Sequence, residues 1–133
     1  MMRRGLLLST LLMATSACSM SEESMALSVA PSELATRLAA IKAMIGDAAA
    51  DDAAQCKMIG VGHKPCGGPA FYLPYSTRDV DERQLVQLIT AYNQLAMQHN
   101  QQSGMISDCA IVPIPQVNYV DGFCTLGSAA ASM

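Results

Sequence analysis

The stretch CKMIGVGHKPCGGPAFYLPYS (residues 56–76) decides how this chain is read. Two runs rich in β-branched, aromatic and other apolar residues, 57–62 and 71–75, flank a centre of His63, Lys64, Pro65, Cys66, Gly67, Gly68 and Pro69. Runs of that composition bounded by Gly and Pro read as strands. The centre admits four readings: a metal site, an activated thiol, a phosphate cradle, or a tight corner beside a bridged cysteine. The choice turns on the redox compartment that Cys56 and Cys66 see.

The first eighteen residues, MMRRGLLLSTLLMATSAC, speak to that compartment. Arg3 and Arg4 make a positive leading end, an apolar run follows from Gly5 to Ala14, and Thr15-Ser16-Ala17 supplies the small residues that a signal peptidase reads. The run is about ten residues, half of the roughly 20 that a bilayer span needs. Residues 1–17 therefore read as a secretory signal. Its junction, Thr15-Ser16-Ala17-Cys18, resembles the lipobox of bacterial lipoproteins, standing in place of the commoner Leu-Ala-Gly-Cys. That resemblance implies cleavage before Cys18, a diacylglyceryl thioether on its sulfur and an acyl group on its new amine. It makes the membrane a partner through the lipid anchor, and Ser19, in place of Asp, implies the outer membrane with the domain facing the periplasm. The plainer alternative is cleavage after Ala17 with Cys18 left free.

Removing the seventeen leader residues from the 133 leaves 116, the size of one domain. With Arg3 and Arg4 gone, six Lys or Arg stand against eleven Asp or Glu, a balance that disfavours nucleic acid and a polybasic membrane surface. Residues 18–30 read as a flexible tether, 31–126 as a single domain and 127–133 as a flexible tail.

Within the domain, Leu34, Leu38, Ile41 and Ile45 recur at helical spacing, with Ser32 as the expected N-cap and Gly46 as the stop. A second helix is expected from a capping box of Asp79 with Glu82 to a stop at Gly104. Its apolar stripe comprises Leu85, Leu88, Ile89, Tyr92, Leu95 and Ala96. Strands are expected at 57–62, 71–75, 109–114 and in a final hairpin, where Asp121-Gly122 forms a two-residue turn between 117–120 and 123–126. Pro113 and Pro115 push their segment toward an edge or a bend. The order implies an α+β fold, a small and mostly antiparallel sheet with two helices packed on it.

With Cys18 taken by lipid, Cys56, Cys66, Cys109 and Cys124 remain, an even number in an exported domain, and two structural disulfides are expected. Four cysteines allow three pairings. If the first and last strands pair, the nested arrangement of Cys56 with Cys124 and Cys66 with Cys109 follows.

The compartment narrows the opening question. Zinc takes close ligand pairs such as Cys-x2-Cys or His-x3-His, whereas Cys56 and Cys66 lie ten apart and His63 and His99 are solitary. A catalytic thiol needs a base beside it, and His63 three residues before Cys66 is the one suggestive feature. The glycine loop lacks the Gly-x4-Gly-Lys-Ser/Thr frame, and Pro69 removes an amide that would bind an anion. Asp47, Asp51 and Asp52 lack the Gly and terminal Glu of a calcium loop, and the methionines are too scattered for a copper site. No cofactor, metal or catalytic set is expected, and Gly67-Gly68-Pro69 reads as a corner beside a bridged cysteine.

The frame Gln55-Cys56, Gly60-x-Gly62, Cys66-Gly67-Gly68-Pro69, Tyr72-Leu73-x-Tyr75-Ser76, Tyr92-Asn93 and Ser107-x-Cys109 is similar to that of a group of small exported bacterial proteins. The similarity implies a compact bridged fold and transfers no site residues. Two functions fit: a noncatalytic envelope lipoprotein that binds or supports, and a periplasmic inhibitor or immunity protein that caps a wall-degrading or toxic enzyme. Either takes an envelope protein or enzyme as partner. His63 and a patch of Phe71, Tyr72, Tyr75 and Tyr119 are the expected interaction surface, aromatics being enriched in interface hot spots; the competing reading has these rings filling the sheet face.

Overall fold

The computed structural model describes residues 28–128. The expected signal at 1–17, the expected lipidation site Cys18, the expected tether up to residue 27 and the expected tail beyond residue 128 lie outside the described residues. The fold is α+β. Helix α1 (Pro31–Ile45) is followed by strands β1 (Cys56–Val61) and β2 (Phe71–Ser76), helix α2 (Glu82–Ser103), and strands β3 (Val117–Val120) and β4 (Phe123–Leu126). The strands form two antiparallel hairpins, β1 with β2 and β3 with β4.

Both helix starts differ in detail from expectation. Ala30, not Ser32, is the N-cap of α1, and no side chain caps it. Pro31 takes the first helical position, where its missing N–H would have had no partner anyway. For α2 the N-cap is Asp81, two residues beyond the expected Asp79. Asp81 Oδ1 accepts from the Arg83 and Gln84 amides at 2.9 and 3.2 Å, so the cap is the Asp81 side chain. Asp79 is instead held by Arg78, whose Nη2 lies 2.8 Å from it. Gly104 ends α2 as expected, in the left-handed conformation, with its N–H donating to the Asn100 carbonyl.

The expected third strand, 109–114, does not form. Pro113 and Pro115 carry no amide hydrogen, and Cys109 has a φ of 56°, so the segment cannot offer a continuous ladder. In its absence the final hairpin pairs elsewhere. The Cys124 amide donates to the Ala48 carbonyl at 2.9 Å, and the Ala50 amide donates to the Gly122 carbonyl at 2.8 Å. Asp121 and Gly122 both have positive φ, 51° and 87°, as the tight primed turn requires.

The β1–β2 register pairs Val61 with Phe71, Ile59 with Leu73 and Lys57 with Tyr75. Strand alternation sends these six residues to one face. That face meets both helices in the main core, where Ile41 of α1, Val61 and Tyr75 of the hairpin, and Leu85, Ile89 and Tyr92 of α2 are buried together with Val80. A second, smaller cluster joins Ala48, Ala50 and Cys124, with Ile45 and Cys56 packed against it. Leu88 departs from the expected stripe: it is 38% exposed.

At the edge of the main core, Lys57 Nζ and Tyr75 Oη both donate to Glu82 Oε1, at 2.7 and 2.8 Å. The bonds from Lys57 and Tyr75 hold the Glu82 carboxyl below its usual range. Burial, reinforced by the Glu82 carboxylate, pushes Tyr75 up to about 12. A tyrosine whose folded-state pKa exceeds its ordinary 10.0 lends full stability below pH 10 and loses it as pH rises toward 12. Two units correspond to about 2 to 3 kcal/mol. Between pH 10 and 12 the folded protein is therefore expected to lose about that much stability. Tyr75→Phe should flatten this alkaline limb in urea melts run across the window, and an unchanged limb would show that Tyr75 does not carry it.

Candidate functional site

Two disulfides organise the surface. Cys56 of β1 is bonded to Cys124 of β4, and Cys66 of the glycine loop to Cys109. This is the nested pairing, reached without the condition attached to it: β1 and β4 share no ladder, and the bridge itself joins the two hairpins.

Around the second bridge the chain is held by several independent contacts. The Gly62 amide donates to Asn93 Oδ1 at 2.7 Å, and Asn100 Nδ2 donates to the His63 carbonyl at 2.6 Å. Asn93 and Asn100 are seven residues apart, two turns along one face of α2, so a single face of that helix grips the backbone where it leaves β1. Lys64 donates to the Ala110 carbonyl and lies 3.6 Å from Asp108. Asp108 is held below the usual carboxylate range, by the Ala110 amide first and by Lys64 second. The glycine loop and the 105–114 segment thus form one pinned unit. Gly62 cannot be replaced freely there: its φ is 81°, and a Cβ would sit 2.8 Å from that of Ala70. Asparagine stands out little in a helical pattern, and only the Tyr92-Asn93 pair in the frame above pointed this way.

The four aromatic rings do not form one patch. Phe71 and Tyr75 point to the core face, and Tyr75 is only 6% exposed. Tyr72, one residue out of phase, lies on the other face, where its ring and Pro69 cover Gly60. Tyr72 lines a groove of about 310 Å³ with Pro69, Cys66, Cys109, Ile111 and Ile114. Tyr119 stands apart on β3, 38% exposed, with its hydroxyl donating to the Asp51 carbonyl at 3.2 Å. Beside it Val120 and its cross-strand partner Phe123 are 49% and 41% exposed. This hairpin tip is an apolar surface that aromatic content alone did not locate.

His63 is half-buried, lining a cavity of about 350 Å³ with Pro65, Met97, Asn100 and Met105. Its Nδ1 is buried and finds no hydrogen-bond partner among the described residues. Its neighbour Cys66 is bonded to Cys109, so the pair does not form an activated thiol. His99, near the end of α2, reaches out of its helix. Its Nδ1 lies 3.1 Å from the Val29 carbonyl, while the Val29 amide donates to Gln102 Oε1 at 2.8 Å. A carbonyl only accepts, so His99 carries its proton on Nδ1. Val29, expected within a flexible tether, is thereby fixed by both backbone groups to the last turn of α2 and is buried.

Among the described residues no three His, Cys, Asp or Glu side chains gather as a metal would require, and no helix is long and apolar enough to cross a membrane. Asp51 pairs with Arg78 at 3.3 Å and Asp52 caps the short 3-10 turn at Ala53–Gln55. No family model matches the chain, and no curated protein or solved structure matches it.

Proposed function

We propose that this protein is a noncatalytic lipoprotein of the bacterial outer membrane, facing the periplasm, whose bridged domain binds another envelope protein. Two disulfides in one small domain support the oxidising, exported setting that the leader implies. The observation that carries the binding role is the β3–β4 tip: Tyr119, Val120 and Phe123 stand exposed on a hairpin fastened through Cys124 to the rest of the fold. Apolar and aromatic side chains on a rigid support make good anchors, because little freedom is left to lose on docking.

The same rigidity favours a second reading. A tight-turn hairpin with an apolar edge suits insertion into a cleft, as an inhibitor or immunity protein against a wall-degrading or toxic enzyme would require.

Affinity capture from envelope extracts, with bound proteins identified by mass spectrometry, tests both. The wild-type protein should retain a specific partner, and Phe123→Asp should weaken that retention roughly 30-fold or more, the loss of a hot-spot residue. Equal capture by Phe123→Asp would overturn the assignment of the tip. A captured hydrolase or toxin whose activity falls on stoichiometric addition of the protein would select the inhibitor reading.

A further inference from the structure

A second set of exposed apolar side chains lies in the segment that follows α2. In the 105–114 segment, Ile106 is 94% exposed, Ile111 90%, Ile114 64% and Met105 52%. Isolated exposed apolar side chains are ordinary, but several in one short segment mark a contact surface. The segment does not owe its exposure to slack. Its middle is bonded through Cys109 to Cys66, and Lys64 binds it at Ala110 and Asp108.

What covers it follows from where the chain enters the fold. Met105 and Ile106 follow directly on the last turn of α2, and that turn is where His99 and Gln102 clamp Val29. Val29 stands only eleven positions after Cys18. Fully extended, that stretch spans at most about 40 Å, of the order of the domain's own width. An acylated Cys18 thus leaves the end of α2 that carries Met105 and Ile106 within reach of the lipid.

We infer that the 105–114 segment is a membrane-docking loop, which seats its isoleucines in the bilayer interface and sets the orientation of the domain. The inference rests on the lipid anchor proposed above and adds to it the face turned toward the membrane. Attraction to anionic headgroups is not its basis, because the domain is acidic and Lys64, the cation that contacts the loop, is engaged with Asp108. A zwitterionic surface suffices.

The chain contains no tryptophan, so an introduced one reports alone. The full acylated protein carrying Ile111→Trp, reconstituted into phosphatidylcholine vesicles with brominated acyl chains, should show emission shifted to shorter wavelength and quenched by the bromine. Ile106→Trp should agree. Val86→Trp, on an exposed site of α2 about 24 Å before Gln102 along the helix, should show neither effect. Incorporation of a palmitate analogue, lost in Cys18→Ser, reports the anchor separately. If the protein is acylated and sediments with the vesicles while Ile111→Trp and Ile106→Trp behave like Val86→Trp, the docking loop is overturned and the anchor stands. If no label enters wild-type protein, the anchor fails and the loop falls with it.

Discussion

Replacing Cys56 and Cys124 together with alanine is expected to cost the domain about 4 kcal/mol. The bridge closes a separation of 68 residues. Cutting it returns to the unfolded chain the freedom that closure had removed, about 4.4 kcal/mol for a loop of that length. A domain of this size shifts by about 4–8 °C for each kcal/mol, so the melting temperature should fall by some 15–30 °C. Packing adds to the effect, because Cys124 is buried among Ala48 and Ala50 and its sulfur fills part of that small cluster. Removing Cys66 and Cys109 reopens a separation of 43 residues, an entropic effect nearly as large at about 4 kcal/mol. Both of those cysteines are exposed, so no buried cluster is emptied. The first pair should therefore be the more damaging of the two in nonreducing melts. A loss below about 1 kcal/mol for Cys56 and Cys124, the scale of an ordinary substitution, would mean that the bridge does not form in the protein.

How far these features were legible differs from element to element, for physical reasons. The final hairpin was read to the residue because Asp121-Gly122 is a local signal, a turn chemistry complete within two positions. Gly104 was legible on the same ground, as the start of α2 was to within two residues, where Asp79 and Asp81 compete for one cap and only contact with Arg78 decides between them. The 109–114 segment failed because its apolar residues resemble a strand, while the absence of amides at Pro113 and Pro115 governs what the backbone can pair with. The prolines were visible, but their consequence depended on whether a neighbouring strand lay within reach. The division of Phe71, Tyr72 and Tyr75 between two faces was available from alternation alone. What composition could not supply was the clamp of His99 and Gln102 on Val29, which spans about seventy residues of sequence. The two exposed apolar surfaces were equally hidden, since a run of isoleucines does not reveal whether anything covers it.

The same limit yields the sharpest test of the core. Leu85 and Leu88 fall on one stripe by helical spacing, and sequence alone treats them as equivalent. In the fold Leu85 is fully buried, at 0% exposure, between the β1–β2 hairpin and α1, whereas Leu88 is 38% exposed. Leu85→Ala removes buried methyl groups and leaves a cavity ringed by Ile41, Val61 and Ile89, for which a cost of about 2 to 5 kcal/mol is expected. Leu88→Ala leaves no cavity, and the slightly better helix propensity of alanine offsets part of the lost contact. Its effect should stay within about 0.5 kcal/mol. Urea melts of the two variants measure the difference directly, and the slope of each transition should match wild type if only stability has changed. Equal costs at the two sites would mean that α2 is rotated about its axis from the orientation described. The hairpin contacts of Asn93 and Asn100 would then fail as well, because they are fixed by that same rotation.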